Sequence, residues 1–138
     1  MSNVDPDSGA KIFSPGWMAA DETQWKHGHN FARLVVELCG EYENVYCELA
    51  YVTALLKHGK QGEEALRRFK QNLAFARAAT ASALYGIDDK LAYGSDWHMP
   101  SMVGVARRYL DIFLGIRDEG ELDDRFFWRN AYRYLRLS

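Results

Sequence analysis

The sequence predicts an α/β fold with about three parallel strands and flanking helices, and three observations carry that prediction. Two short β-rich runs, residues 45–52 and 90–96, are separated by a long segment whose apolar residues recur at helical spacing. Both faces of the first run are largely apolar, as expected of a strand buried on both sides rather than half solvated. Alternation of such strands with long helices implies parallel pairing through right-handed crossovers.

The elements follow in order. Residues 1–10 are polar, contain Pro6 and Gly9, and read as a disordered lead; residues 11–138 read as one folded unit. Ala10-Lys11-Ile12-Phe13-Ser14 is a candidate short strand, stopped by Pro15-Gly16. Residues 17–28 show no clean period. Asn30 is an expected N-cap for a helix over 31–42, with Phe31, Leu34, Val35, Leu38, Cys39 and Tyr42 on one stripe. Glu43-Asn44 breaks it, and the strand over 45–52 follows. Gly59 and Gly62 punctuate the next stretch. A helix is then expected over 63–84, with Leu66, Phe69, Leu73 and Ala76 on its buried face. Gly86 and Asp88-Asp89 end it, and the strand over 90–96 begins. Pro100 and Ser101 open a further helix with a stripe of Met102, Val103, Ala106, Leu110 and Phe113, closed by Gly115 or Gly120. A last helix over 123–137 carries Phe127, Ala131, Tyr134 and Leu135 on one side.

Composition narrows the function classes. With 138 residues, the chain is of single-domain size and long enough to bury a core. Its net charge of −2 supplies no positive field for nucleic acid or anionic lipid. No apolar run approaches the ~18 residues of a membrane span, and the polar start lacks the features of a secretory signal. Cys39 and Cys47 sit beside apolar neighbours, as reduced core thiols do, which points to a cytoplasmic setting.

The sharpest chemical signal is Tyr93-Gly94-Ser95-Asp96-Trp97-His98-Met99-Pro100 at the end of the second strong strand. Alternation puts Ala92, Gly94 and Asp96 on one face and the bulkier Leu91 and Tyr93 on the other. A carboxylate at the C-terminal end of a parallel strand sits where α/β barrels collect catalytic groups. The plainer alternative is that Asp96 caps the helix that follows.

The flanking residues resemble a known family. Asp89-Lys90-Leu91-Ala92-Tyr93-Gly94-Ser95-Asp96-Trp97 resembles the last barrel strand of the amidohydrolase-related metal-dependent hydrolases and decarboxylases, which ends in Gly-Ser-Asp or Gly-Thr-Asp. Residues 41–49, Glu-Tyr-Glu-Asn-Val-Tyr-Cys-Glu-Leu, are similar to the family's seventh strand. Residues 127–137, with Asn130-Ala131 before an aromatic and Leu135, are similar to its closing helix. Three motifs in the right order cover about residues 30–137. The resemblance implies the C-terminal portion of a (β/α) TIM barrel, a chain too short to be the whole of one, and a divalent metal, zinc above all. It makes Asp96 the strand-eight aspartate, both metal ligand and general base.

The family's other ligands, a His-x-His on the first strand and histidines on the fifth and sixth, have no counterpart on a strand here. If residues 11–14 are the sixth strand, Ser14 or Pro15 stands where a histidine belongs. His27-Gly28-His29 spells His-x-His but lies among polar residues before a helix, as a solvated loop would. His98, two residues past Asp96, is a candidate catalytic or substrate contact, or else a loop histidine. Glu48 is a candidate substrate-binding carboxylate, or equally the partner of a cation. Trp97 lines a pocket or simply packs. His58 reads as exposed, and Arg67-Arg68 and Arg107-Arg108 as solvated faces. No phosphate loop, nucleophile elbow or cysteine metal spacing is present.

Two functions therefore stand: part of a metal-dependent hydrolase or decarboxylase acting on a small molecule, inactive as an isolated chain, or a non-catalytic partial-barrel binding or assembly module. Either leaves strand edges and an inner face, with Ala92, Gly94 and Glu48, uncovered. A homo-oligomer, or union with a missing N-terminal barrel portion, is the expected remedy.

Overall fold

Two three-residue strands lie side by side beneath a layer of helices. The computed structural model describes residues 14–50 and 52–137. In order, the elements are a 3₁₀ turn Gly16–Met18, α1 (Glu22–Trp25), α2 (Phe31–Glu41), β1 (Cys47–Leu49), a 3₁₀ turn Thr53–Leu56, α3 (Gly59–Thr80), a 3₁₀ turn Ile87–Asp89, β2 (Leu91–Tyr93), α4 (Ala106–Asp118), a π-helical turn Arg125–Arg129 and α5 (Asn130–Tyr134).

This corrects the expected fold class. Among the described residues 58% are helical, and the one sheet there holds two short strands. A partial barrel of about three strands is not what forms. The two strong runs do pair in parallel, with Cys47 opposite Leu91, Glu48 opposite Ala92 and Leu49 opposite Tyr93. Both ladders are cut short for visible reasons. After β1, the Tyr109 hydroxyl donates to Leu49 O (2.9 Å) and accepts from Val52 N (3.1 Å), so a side chain takes the groups a longer ladder would use. After β2, the backbone turns left-handed at Asp96 (φ 47°), which no continuing strand permits. The candidate strand over 10–14 and the lead over 1–10 lie outside the described residues except for Ser14. That residue is not in a strand, and its Oγ accepts from Phe31 N at the start of α2 (3.2 Å).

One apolar core joins the layers. Cys47, Leu49 and Leu91 are buried on the helix side of the sheet, while Glu48 on the other face is exposed. Tyr93, on the same side as Leu91, packs against Tyr109, Phe113, Phe126 and Phe127 at ring separations of 5.8–6.3 Å. Phe113 also meets Phe69 edge-on (5.7 Å), which links α4 to α3. Aromatic pairs at such distances add specificity beyond the area they bury.

Buried amides tie the helices down. Asn30 caps α2 through Ala32 N (3.2 Å), and its Nδ2 donates to Trp25 O (3.0 Å). Asn72 Nδ2 donates to Trp17 O and Ala19 O (2.8 and 2.9 Å). Asn130 Nδ2 donates to Asp88 O and Leu91 O (2.8 and 2.7 Å), which fastens the start of α5 to β2. Gly120 (φ 83°) ends α4 in a Schellman turn, with Glu121 N donating to Ile116 O (3.2 Å).

Candidate functional site

The C-terminal ends of β1 and β2 bring two carboxylates close to one tyrosine. Glu48 points off the solvent face of β1 and its side chain lies over Gly94. A Cβ built at Gly94 would fall 2.5 Å from Glu48 Cδ and 2.7 Å from its Cγ, so only glycine leaves room for this placement. Asp96 follows two residues later, half-buried, in the left-handed region. Aspartate tolerates that region better than most residues, and such backbone strain concentrates at functional sites. Neither carboxylate makes a hydrogen bond or ion pair to another described residue. Beneath them, burial pushes the Tyr109 hydroxyl up to about 12, with the charges of Asp96 and Glu48 acting in the same direction. Tyr109 therefore stays protonated and keeps its two backbone hydrogen bonds.

The helix-cap reading of Asp96 fails. Its backbone carbonyl accepts from Met99 N (2.8 Å) in a run of turns, and α4 begins only at Ala106 with Val105 at the cap position. Trp97 is 67% exposed and sits edge-on to the exposed His98 ring at 6.2 Å. No hydrogen bond joins His98 to Asp96. The site as described is thus Asp96, Glu48 and Gly94 over Tyr109, with Trp97 and His98 on an open loop beside it. Glu48 also lines a cavity of about 490 Å³ along the uncovered sheet face, bounded by Tyr46, Ala92, Asn130, Tyr134 and Leu135.

His27 and His29 stay apart from this place. They form a solvated turn before α2, with His29 N donating to His27 Nδ1 (3.2 Å). Among the described residues, no group of three or more His, Cys, Asp or Glu side chains is arranged to hold a metal ion. A catalytic zinc takes about three protein ligands. The metal implied by the resemblance therefore does not fit the described residues of this chain taken alone, where Asp96 is the one donor the motif supplies. Chemically, Asp96 and Glu48 can accept or donate a proton and can bind a cationic or hydroxyl-bearing group.

The sequence reading missed Tyr109, whose hydroxyl closes β1. Its signal was faint: a tyrosine beside Leu110 on a helix gives no hint that it, and not Leu110, faces inward. Lys90 was also missed. It is 2% exposed, and its Nζ donates to Tyr42 O and Glu43 O (3.1 and 2.5 Å) and lies 4.4 Å from the Tyr46 and Tyr85 ring centres. Cys39 and Cys47 are free and buried, and burial pushes the Cys47 thiol up to about 12, as suits unreactive core residues.

No family model matches the chain, and no curated protein or solved structure is significantly similar to it. The amidohydrolase resemblance thus rests on the three quoted motifs. No helix among the described residues is long and apolar enough to cross a membrane.

Proposed function

We propose that this chain is the C-terminal part of an amidohydrolase-related hydrolase or decarboxylase and is inactive on its own. The observation that carries the reading is the junction at Gly94. Two parallel strands end together, β2 runs straight into Gly94-Ser95-Asp96, and the Glu48 side chain lies in the space that a side chain at 94 would take. In this reading Asp96 is the acid–base group, Glu48, Trp97 and His98 contact a small-molecule substrate, and residues outside this chain supply the remaining ligands of a divalent metal, zinc by the resemblance. The unreactive thiols suit a reducing, cytoplasmic setting. Reading the gene upstream of Met1 tests the proposal. An in-frame continuation with His-x-His after an apolar strand supports it, and an upstream stop or an unrelated domain counts against it.

A second reading, a non-catalytic binding or assembly module, is favoured by the amount of apolar surface left open. Trp97, Val103, Trp128, Tyr134 and Leu135 are each at least half exposed. Under either reading the open sheet edges are covered by a second copy or by the missing portion of the protein.

A further inference from the structure

The other end of the two strands carries a second cavity, which shares Asn44, Tyr46 and Tyr134 with the one beside Glu48. This cavity, of about 480 Å³, opens where Glu43 and Asn44 lead into β1 and Lys90 leads into β2, and α5 brings Arg133 and Arg136 to its rim. Its size is within the range of small-molecule sites. Three cations line it against one carboxylate, Glu43.

These cations are poorly compensated. Neither the Arg133 nor the Arg136 guanidinium forms a hydrogen bond or ion pair with a described residue, whereas Arg33, Arg67, Arg68 and Arg77 in α2 and α3 are all paired. The Lys90 ammonium has three donors, and two carbonyls take two of them. Burial lowers Lys90 from its usual value against the opposing influence of Cys39, Glu43 and Asp89, and the Arg133 charge acts in the same direction as burial. Lys90 is buried, and a buried charge costs free energy unless an opposite charge approaches, whereas Arg133 and Arg136 add positive charge at the exposed rim. The walls add a second kind of contact: Tyr46 packs edge-on to Tyr134 at 5.2 Å, and Tyr85 covers Lys90 from the other side.

We propose that this cavity binds a phosphate monoester, its phosphate held by Lys90, Arg133 and Arg136 and its organic body lying against the tyrosine walls. The charges favour this class over a monocarboxylate. Three cations less one carboxylate leave an excess of two, and a phosphate monoester carries about −1.5 to −2 at neutral pH. Arginine forks match phosphate oxygens in pairs, and the cavity is larger than inorganic phosphate alone would fill. The proposal is independent of the hydrolase reading, because the cavity lies at the end of the strands opposite Asp96.

Calorimetric titration of the full chain tests it, with phenyl phosphate and inorganic phosphate as probes and chloride at matched ionic strength as the control. Saturable binding of phenyl phosphate, tighter than of inorganic phosphate, is expected, and Arg133→Gln with Arg136→Gln should weaken it roughly ten-fold or more. Both guanidinium groups are on the surface, so circular dichroism should show the fold unchanged. Glu43→Gln removes the opposing carboxylate and should tighten binding. No saturable binding of either probe, a double variant that binds like the parent, or a Glu43→Gln variant that binds more weakly would each overturn the proposal.

Discussion

Gly94 and Tyr109 show how single residues shape the site. At Gly94 a side chain would collide with the Glu48 carboxylate, which is the free end of an exposed chain and can swing away. At Gly62 a Cβ would instead overlap the Lys57 carbonyl, 3.0 Å from its carbon, and backbone cannot yield so easily. Gly94→Ala should therefore cost under ~1 kcal/mol, and Gly62→Ala about 1–3 kcal/mol, as read from denaturant unfolding. Tyr109→Phe strips partners from Leu49 O and Val52 N, both beside the core, and should cost about 1–3 kcal/mol.

The same tyrosine sets an alkaline limit. Unfolded tyrosine loses its proton near about 10, whereas Tyr109 in the fold holds its proton to about 12. Above the unfolded value the unfolded state binds fewer protons, so stability falls with rising pH. The contribution is complete below about pH 10 and is lost as pH climbs towards 12. Cys47, also held to about 12, acts in the same direction from a lower starting point. Unfolding measured across this range should lose stability, and Tyr109→Phe should remove part of that slope while leaving the cysteine share.

At the scale of elements, pattern and structure agree where a helix is long. Phe69, Leu73 and Ala76 face the core of α3 as their spacing predicts, and Asn30 caps α2. They part where local geometry shifts the face. In α2 the buried residues are Val36, Cys39 and Gly40, which leaves Leu38 and Tyr42 exposed, because a small face at Gly40 fits against Thr80 and Ala83. In α4 Tyr109 replaces Leu110, and Val103 stays outside because helix begins only at Ala106. In the last helix the π-helical turn inserts residues into the repeat. The buried positions become Phe126 and Asn130, while Tyr134 and Leu135 are exposed. No 3.6-residue pattern reveals such a turn. Both parallel strands were legible, but their length was not, since Tyr109 and the backbone of Asp96 cut them short. Asn130 is the fastening that places α5, so Asn130→Ala should cost about 1–3 kcal/mol and expose Trp128 further. Tryptophan fluorescence should shift to the red before global unfolding, whereas coincident transitions would contradict this role.

For the whole molecule, the central question is what covers the open side of the sheet. Among the described residues no third strand pairs with β1 or β2, and an unpaired edge beside exposed aromatic residues invites association. The chain should therefore self-associate at micromolar concentration. Light scattering that shows a stable monomer would count against it. Motif and alternation mark Asp96, Gly94 and Glu48 in the sequence, whereas the cavity lined by Lys90, Arg133 and Arg136 depends on residues far apart in it.

The most direct measurement is turnover of ester, lactone, amide and aromatic carboxylic acid substrates with zinc supplied. It should compare the chain alone with the chain joined to any segment the gene encodes in frame before it. The account predicts background rates for the chain alone, and activity in the joined protein that is lost on Asp96→Asn. Turnover by the chain alone that disappears on Asp96→Asn, or activity of the joined protein that survives it, would contradict the account.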